Sequence, residues 1–116
     1  MEVIWEAPAN IALIKYWGKK ELQIPQNPSL SFTLRKSRTT TSIKISNTLK
    51  KGSWKFSYEG QPKTSFEAKI QTFFNRIRSQ MPFLDEVGIQ IDSSNNFPHS
   101  SGISSSASFY SSLALA

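Results

Sequence analysis

The sequence predicts an α+β domain in which helices cover a mainly antiparallel sheet, and two kinds of periodicity support this prediction. Apolar residues alternate with polar ones around Phe32, Phe56 and Ile89, which is typical of half-buried strands. After Pro62 and again after Pro98, apolar residues recur at helical spacing. A group of strands followed by helix, strand and helix indicates α+β rather than a regular alternation of the two.

The first predicted element is a short strand from Glu2 to Trp5, which we expect to end at residues 7–10 because Pro and Asn interrupt strands. The apolar run 11–14 then leads directly into the sequence Lys-Tyr-Trp-Gly-Lys-Lys at 15–20. This stretch is either a strand that delivers lysines and aromatic rings to the edge of a pocket, or a strand end with solvated lysines and core aromatics. Spacing alone favours the second interpretation.

The middle of the chain predicts three strands, marked by the alternating sets Leu30-Phe32-Leu34, Ile43-Ile45 and Trp54-Phe56-Tyr58. Residues 50–53 and 59–62 have the composition of turns. A capping-box pattern at Thr64 and Glu67 predicts the start of a helix, whose apolar stripe runs from Phe66 to Met81. We expect this helix to be structural, with its aromatic stripe in the core.

The stretch from Asn95 to Ser108 joins the strand around Ile89 to a helix predicted to begin near Ile103. Its glycine and hydroxyls suit a solvated turn, and they equally suit a phosphate cradle in which the free N–H groups of the first helical turn face a negative charge. One side of the helix carries serines, which suit close packing or a ligand better than a solvated face. The predicted apolar arc consists of Ile103, Ala107, Phe109, Tyr110, Leu113 and Ala114.

Composition narrows the class of protein. The chain has 116 residues, a formal net charge of +6 and no cysteine. Disulfides and thiolate metal sites are therefore excluded, and the chain fits a reducing cytoplasm. The positive charge suits a protein that binds nucleotides or diphosphates. The alternative is a basic module that binds nucleic acid, but such a module usually carries its basic residues in one cluster, and those of this chain are scattered. With no apolar run of membrane-spanning length, we expect a cytoplasmic protein without nucleic-acid or membrane partners.

Two segments carry a resemblance to a known family. Pro98-x-x-x-Gly102-x-x-Ser105-Ser106-Ala107 resembles the ATP-phosphate loop of the GHMP kinase superfamily. The segment 10–19, Asn-Ile-Ala-Leu-Ile-Lys-Tyr-Trp-Gly-Lys, is similar to the N-terminal signature of the diphosphomevalonate decarboxylase family within it, and residues 24–34 and 39–41 continue the similarity. The resemblance implies the ribosomal protein S5 domain 2-like fold of the GHMP N-terminal half.

The helical pattern at the C-terminus continues without a Gly, Asn or Pro stop signal. We therefore expect residues 1–116 to be the N-terminal part of a GHMP-type domain, with the remainder of that domain and a C-terminal GHMP domain missing. The family's catalytic Asp has no counterpart in the chain, so the chain alone is expected to be inactive.

The resemblance implies an ATP- and Mg²⁺-dependent enzyme that phosphorylates the 3-hydroxyl of (R)-5-diphosphomevalonate. Phosphate and CO₂ then leave, giving isopentenyl diphosphate. Such an enzyme is a lyase of the mevalonate pathway, which serves isoprenoid and lipid biosynthesis, and members are commonly homodimers at full length. A mevalonate 3-kinase or a phosphomevalonate decarboxylase of the same superfamily remains an alternative.

The same resemblance implies roles for individual residues. Substrate-binding roles are implied for Asn10, Tyr16, Trp17 and Lys19, with Lys15 as active-site support. Tyr16 and Lys19 would contact the diphosphate, Trp17 would pack beside the pocket, and Asn10 would shape its substrate end.

ATP-binding roles are implied for Gly102, Ser104, Ser105 and Ser106. Ser106 is the best candidate for contact with the reacting phosphate and with Mg²⁺ bound to ATP. The sequence His99-Ser100-Ser101 departs from the residues usual in the family, which leaves the individual nucleotide contacts open.

Overall fold

In the computed structural model, which describes residues 1–15, 17–21, 24–98 and 105–116, five strands form one mixed sheet. The strands are β1 (Glu2–Ile14), β2 (Leu30–Ser46), β3 (Trp54–Tyr58), β4 (Gln61–Pro62) and β5 (Gly88–Asn95). Their order across the sheet is β1-β2-β5-β3-β4. Neighbouring strands are antiparallel except β3 and β5, which are parallel. The predicted α+β class with a mainly antiparallel sheet is confirmed.

Two helices, α1 (Thr64–Ile77) and α2 (Ser105–Leu115), share one core with the sheet. The ring of Phe66 on α1 lies 5.8 Å from the rings of both Phe56 on β3 and Phe109 on α2. Ile91 on β5 is fully buried in the same cluster. Because burial of such side chains is the main stabilising contribution to a domain of this size, the position of both helices is fixed chiefly by this cluster.

The first strand does not end at residues 7–10, so that prediction is wrong. Pro8 pairs with Arg38 and the next residue, Ala9, pairs with Leu34, so residues 35–37 of β2 bulge out opposite this step. β1 is an edge strand of the sheet, and an edge strand at a bulge is where a proline can be accommodated without breaking the ladder.

The two strands predicted at 30–34 and 43–45 are parts of the single strand β2. The side chain of Asn96 supports the bulge between them. Its Oδ1 accepts a hydrogen bond from the backbone N–H of Arg38 at 2.8 Å, and its Nδ2 donates to the carbonyl of Lys36 at 2.8 Å. These bonds partner backbone groups that the bulge removes from the regular ladder.

α1 confirms the predicted helix and its buried stripe, since Ile70 and Phe74 are buried. The predicted capping box is wrong. The N-cap is Lys63, and no side chain caps the helix there. Met81, placed in the stripe by its spacing, lies beyond the helix and is 41 % exposed.

Gly88 opens β5 at a point where no side chain fits. A Cβ at this position would lie 2.6 Å from Leu49 Cβ and 2.7 Å from Leu49 O. We expect Gly88→Ala to lower the free energy of unfolding by about 3 kcal/mol, because backbone has to move. Gly60→Ala is the control, because a Cβ at this position would contact no other atom. Only the left-handed backbone conformation, with φ +77, disfavours alanine there, and this should lower the free energy of unfolding by about 1 kcal/mol. Equal losses in urea titrations would contradict this account.

The raised pKa of the Tyr58 phenol leads us to expect a loss of stability at alkaline pH. Burial, together with the carboxylate of Glu59, raises the pKa of Tyr58 from 10.0 to about 12. Between these values the folded chain holds a proton that the unfolded chain has lost, so the free energy of unfolding falls as pH rises through this window and is unaffected by this group below it. Denaturant titrations on both sides of pH 10.0 should show a smaller fall for Tyr58→Phe than for the wild type. Identical falls would exclude Tyr58 as the cause.

Candidate functional site

The segment after β1 that carries Lys15, Trp17 and Lys19 is held in place by one side-chain amide. Asn27 Oδ1 accepts a hydrogen bond from the Trp17 N–H at 2.6 Å. Asn27 Nδ2 donates to the carbonyls of Pro28 at 2.9 Å and of Lys15 at 3.4 Å. The amide thus ties the backbone of Lys15 and Trp17 to the segment that precedes β2.

The backbone around Lys19 is held by short-range pairing. Lys19 forms an antiparallel bridge with Pro25, and the N–H of Lys20 donates to the carbonyl of Ile24 at 2.7 Å. Gly18 precedes them with a φ of +87, a conformation in which other residues are strained. The backbone is therefore hydrogen-bonded at both neighbours of Lys19, Gly18 and Lys20, and this fixes the point from which the Lys19 side chain extends.

Lys19 lines a cavity of about 570 Å³ whose other walls come from both helices. α1 contributes Lys69 and Arg76, and α2 contributes Ser106 from its first turn. The lining is completed by Ala68, Thr72, Phe73 and Tyr110. Cationic side chains and the positive end of a helix dipole converge in this cavity, called here the basic groove, and this is the chemistry that binds phosphate groups.

Tyr110 connects the basic groove to the core. Burial raises the pKa of the Tyr110 phenol, and the positive charge of Arg76 opposes this rise. The phenol is therefore neutral at physiological pH and adds no negative charge to the groove. The groove therefore keeps its positive character.

α2 is attached to the sheet by two pairs of hydroxyl groups. Ser108 Oγ lies 2.6 Å from Thr39 Oγ1, and Ser112 Oγ lies 2.6 Å from Thr41 Oγ1. Residues four apart share one face of a helix and residues two apart share one face of a strand, so both pairs form together. All four residues are at most 1 % exposed. The serines on this side of α2 serve close packing, which is one of the two uses that their size predicts.

The predicted apolar arc of α2 is partly wrong for the same reason. Phe109 and Leu113 are buried as expected, whereas Ala107 and Ala114 are exposed. The helix is rotated so that Ser108 and its neighbour Phe109 both face the sheet and core, because hydroxyl partners on β2 are available to Ser108 and Ser112.

The predicted site residues are only partly brought together. Lys19 and Ser106 meet at the basic groove, while Asn10, Lys15 and Trp17 do not line it. Asn10, on β1, pairs with Thr33 on β2. The buried Oδ1 of Asn10 has no hydrogen-bond partner among the residues that the structure describes. Trp17 is 83 % exposed.

Other predicted positions fall outside the described residues: Tyr16, Gly102 and Ser104. Ser105 is the first residue of α2, and its side chain also lies outside the description.

Sequence reasoning missed Lys69 and Arg76, because α1 was assigned a structural role alone. They are seven residues apart, which is close to two helical turns, and Thr72 lies between them on the same side. This spacing was readable from the sequence. It is equally typical of an ordinary solvated helix face, so only the packing of α1 beside α2 reveals the groove.

No group of three or more His, Cys, Asp or Glu side chains that could hold a metal ion occurs within residues 1–15, 17–21, 24–98 and 105–116. Within the same ranges, no helix has the length and apolar character needed to cross a membrane.

A second cavity of about 280 Å³ has a mainly apolar lining, which suits phosphate far less than the basic groove does.

A mixed sheet with a basic groove at the first turn of a helix is typical of α+β domains that bind phosphorylated ligands. Comparison with known families makes the assignment specific: the diphosphomevalonate decarboxylase-like N-terminal domain matches residues 7–116. The chain belongs to this family.

Individual relatives agree with this assignment. The chain is 36% identical over 121 residues to the diphosphomevalonate decarboxylase ERG19 of Gibberella zeae, covering 92% of the chain and 31% of that protein. The crystal structure of mevalonate diphosphate decarboxylase from Staphylococcus aureus matches with a TM-score of 0.82 and 36% identity, over 98% of this chain and 34% of that one. The chain therefore spans about a third of the length of these relatives.

A further solved structure is relevant to ligands. It is MDDEF in complex with MVAPP, AMPPCP and magnesium, with a TM-score of 0.81 and 33% identity. The match covers 97% of this chain and 34% of that one. The GHMP-type fold predicted from the resemblance is confirmed by these structural matches.

Proposed function

We propose that this chain supplies part of the active site of an ATP-dependent diphosphomevalonate decarboxylase, which converts (R)-5-diphosphomevalonate into isopentenyl diphosphate for isoprenoid and lipid biosynthesis. One observation carries the proposal. Lys19, from the segment similar to the family signature, and Ser106, from the phosphate-loop motif, line the same basic groove although they are distant in the sequence. The related complex with MVAPP, AMPPCP and magnesium supports it.

The donors of the groove fit a polyphosphate. Lys19, Lys69 and Arg76 offset the negative charge, and the first turn of α2 adds N–H groups and its dipole. ATP, when bound, supplies the phosphoryl group that converts the 3-hydroxyl of the substrate into a good leaving group. The part of this chain in catalysis is to position phosphates and stabilise their charge, which is the main contribution of a protein to phosphoryl transfer.

The Ser106 hydroxyl would contact the reacting phosphate or its Mg²⁺, since a hydroxyl oxygen is a ligand that Mg²⁺ accepts. The proposal also keeps Gly102, Ser104 and Ser105 as ATP-binding residues. Their support is the motif in the sequence.

On the substrate side, the proposal assigns Lys19 and Tyr16 to the diphosphate and keeps Lys15 and Trp17 beside the site. The proposal also keeps Asn10 as a residue that shapes the substrate end of the site, and its support is the signature segment 10–19 in the sequence.

The activity belongs to the whole protein in this proposal. Because the chain spans about a third of its relatives' length, we expect residues 1–116 alone not to turn over. We further propose a cytoplasmic enzyme, which the lack of cysteine supports, and a homodimer at full length, which sedimentation would test.

The decisive assay uses the complete polypeptide that the reading frame encodes. It is incubated with ATP, Mg²⁺ and (R)-5-diphosphomevalonate while CO₂ and ADP are measured. Equal amounts of both products are expected. ADP without CO₂ would instead identify a kinase of the superfamily, and neither product from a folded protein would overturn the enzyme assignment.

Lys19→Ala tests the groove directly. Loss of a charge-assisted bond to phosphate should raise the KM for diphosphomevalonate about 10- to 100-fold. Lys20→Ala is the matched control, because Lys20 is exposed, does not line the groove, and uses only its backbone in the bond to Ile24. If the two variants have the same KM, Lys19 does not bind the diphosphate.

A further inference from the structure

We propose that Thr39 is a positioning residue, whose hydroxyl connects the end of β5 to the first turn of α2 and so holds Ser106 against the basic groove. This inference rests on the proposed function and adds to it a residue that touches no ligand. Thr39 is 0 % exposed, so its effect must pass through the residues it contacts.

The Thr39 hydroxyl contacts both β5 and α2. Thr39 Oγ1 donates to Asn95 Oδ1 at 2.8 Å and lies 2.6 Å from Ser108 Oγ, a contact in which either hydroxyl can be the donor. One side chain on β2 thus joins the last residue of β5 to the first turn of α2.

The pair at Thr41 is similar in chemistry and lies one turn further along α2. Ser112 Oγ donates to the carbonyl of Phe109 at 2.9 Å and lies 2.6 Å from Thr41 Oγ1, so Thr41 is the donor to Ser112. Ser93 Oγ lies 3.1 Å from Thr41 Oγ1 and donates to the carbonyl of Thr40 at 3.3 Å. Thr41 therefore fixes the body of the helix. The pair nearer the groove is the one at Thr39.

Distance along the helix separates the roles of the two pairs. Ser106 and Ser108 are two residues apart, which corresponds to about 3 Å along the axis, whereas Ser112 lies about 9 Å from Ser106. A shift of the first turn when Ser108 loses its partner therefore reaches Ser106 directly. Since a displacement of about 1 Å at a reacting group can cost about 100-fold in rate, this anchor matters for phosphate positioning.

Four variants of the complete protein test the proposal: Thr39→Val, Thr39→Ser, Thr41→Val and Thr40→Val. Valine keeps the shape and removes the hydroxyl, and serine restores it. Thr40 is the matched control, because it lies between the two anchors but points to the opposite face, where its hydroxyl donates to Glu6 at 3.3 Å. The readouts are the Kd for Mg²⁺-AMPPCP, the KM for ATP and the thermal midpoint.

For Thr39→Val, we expect the Kd for Mg²⁺-AMPPCP and the KM for ATP to rise about tenfold, the effect of one buried hydrogen bond left unmade. Thr39→Ser should restore both, and Thr40→Val should leave both unchanged. Thr41→Val should lower the thermal midpoint as much as Thr39→Val while changing Kd less than Thr39→Val does. Amide exchange at residues 105–108 should speed up in Thr39→Val alone.

The proposal is overturned if Thr39→Val lowers the thermal midpoint but leaves Kd and KM unchanged, or if Thr39→Val and Thr41→Val raise Kd equally, since either result is that of a purely structural role. A wild-type protein that does not bind Mg²⁺-AMPPCP overturns it as well. Failure of the decarboxylase assignment alone is recognised separately, by nucleotide binding without CO₂ release.

Discussion

The contact between α2 and the sheet is made in part by hydroxyl groups, and the basic groove depends on it. Thr39 and Thr41 present two hydroxyls on one face of β2, and Ser108 and Ser112 present two at the matching helical spacing. Hydrogen bonds impose a direction and a register that apolar contacts do not, so they fix the rotation of the helix as well as its burial. That rotation decides which residues of the first turn face the groove.

Side-chain amides have a comparable role in the loops. Asn27 holds the segment that carries Lys19, and Asn96 supports the bulge in β2. Asn95 accepts a hydrogen bond from the Thr39 hydroxyl. An amide both donates and accepts, so one residue can partner several backbone groups that a loop or bulge leaves without ladder bonds. The segment around Trp17 and the bulge in β2 thereby gain hydrogen bonds that fix their positions.

The sequence predicts the fold class because alternation and helical spacing are local properties, and β5 and α1 follow from them. The break predicted at Pro8 fails because a bulge in a distant part of β2 compensates for it. The burial of Ser108 depends on Thr39, which lies far away in the sequence. Lys69 becomes a candidate site residue only when α1 packs beside α2. Errors arise where a partner distant in the sequence decides the outcome.

If the groove between Lys19 and the two helices receives phosphate groups, a crystal structure of the complete protein with Mg²⁺-AMPPCP and diphosphomevalonate bound will show it. We expect phosphate oxygens within hydrogen-bond distance of Lys19 Nζ and Ser106 Oγ, with Lys69 or Arg76 facing the same charges. Phosphates bound elsewhere, with the groove filled by solvent, would exclude this role for the groove.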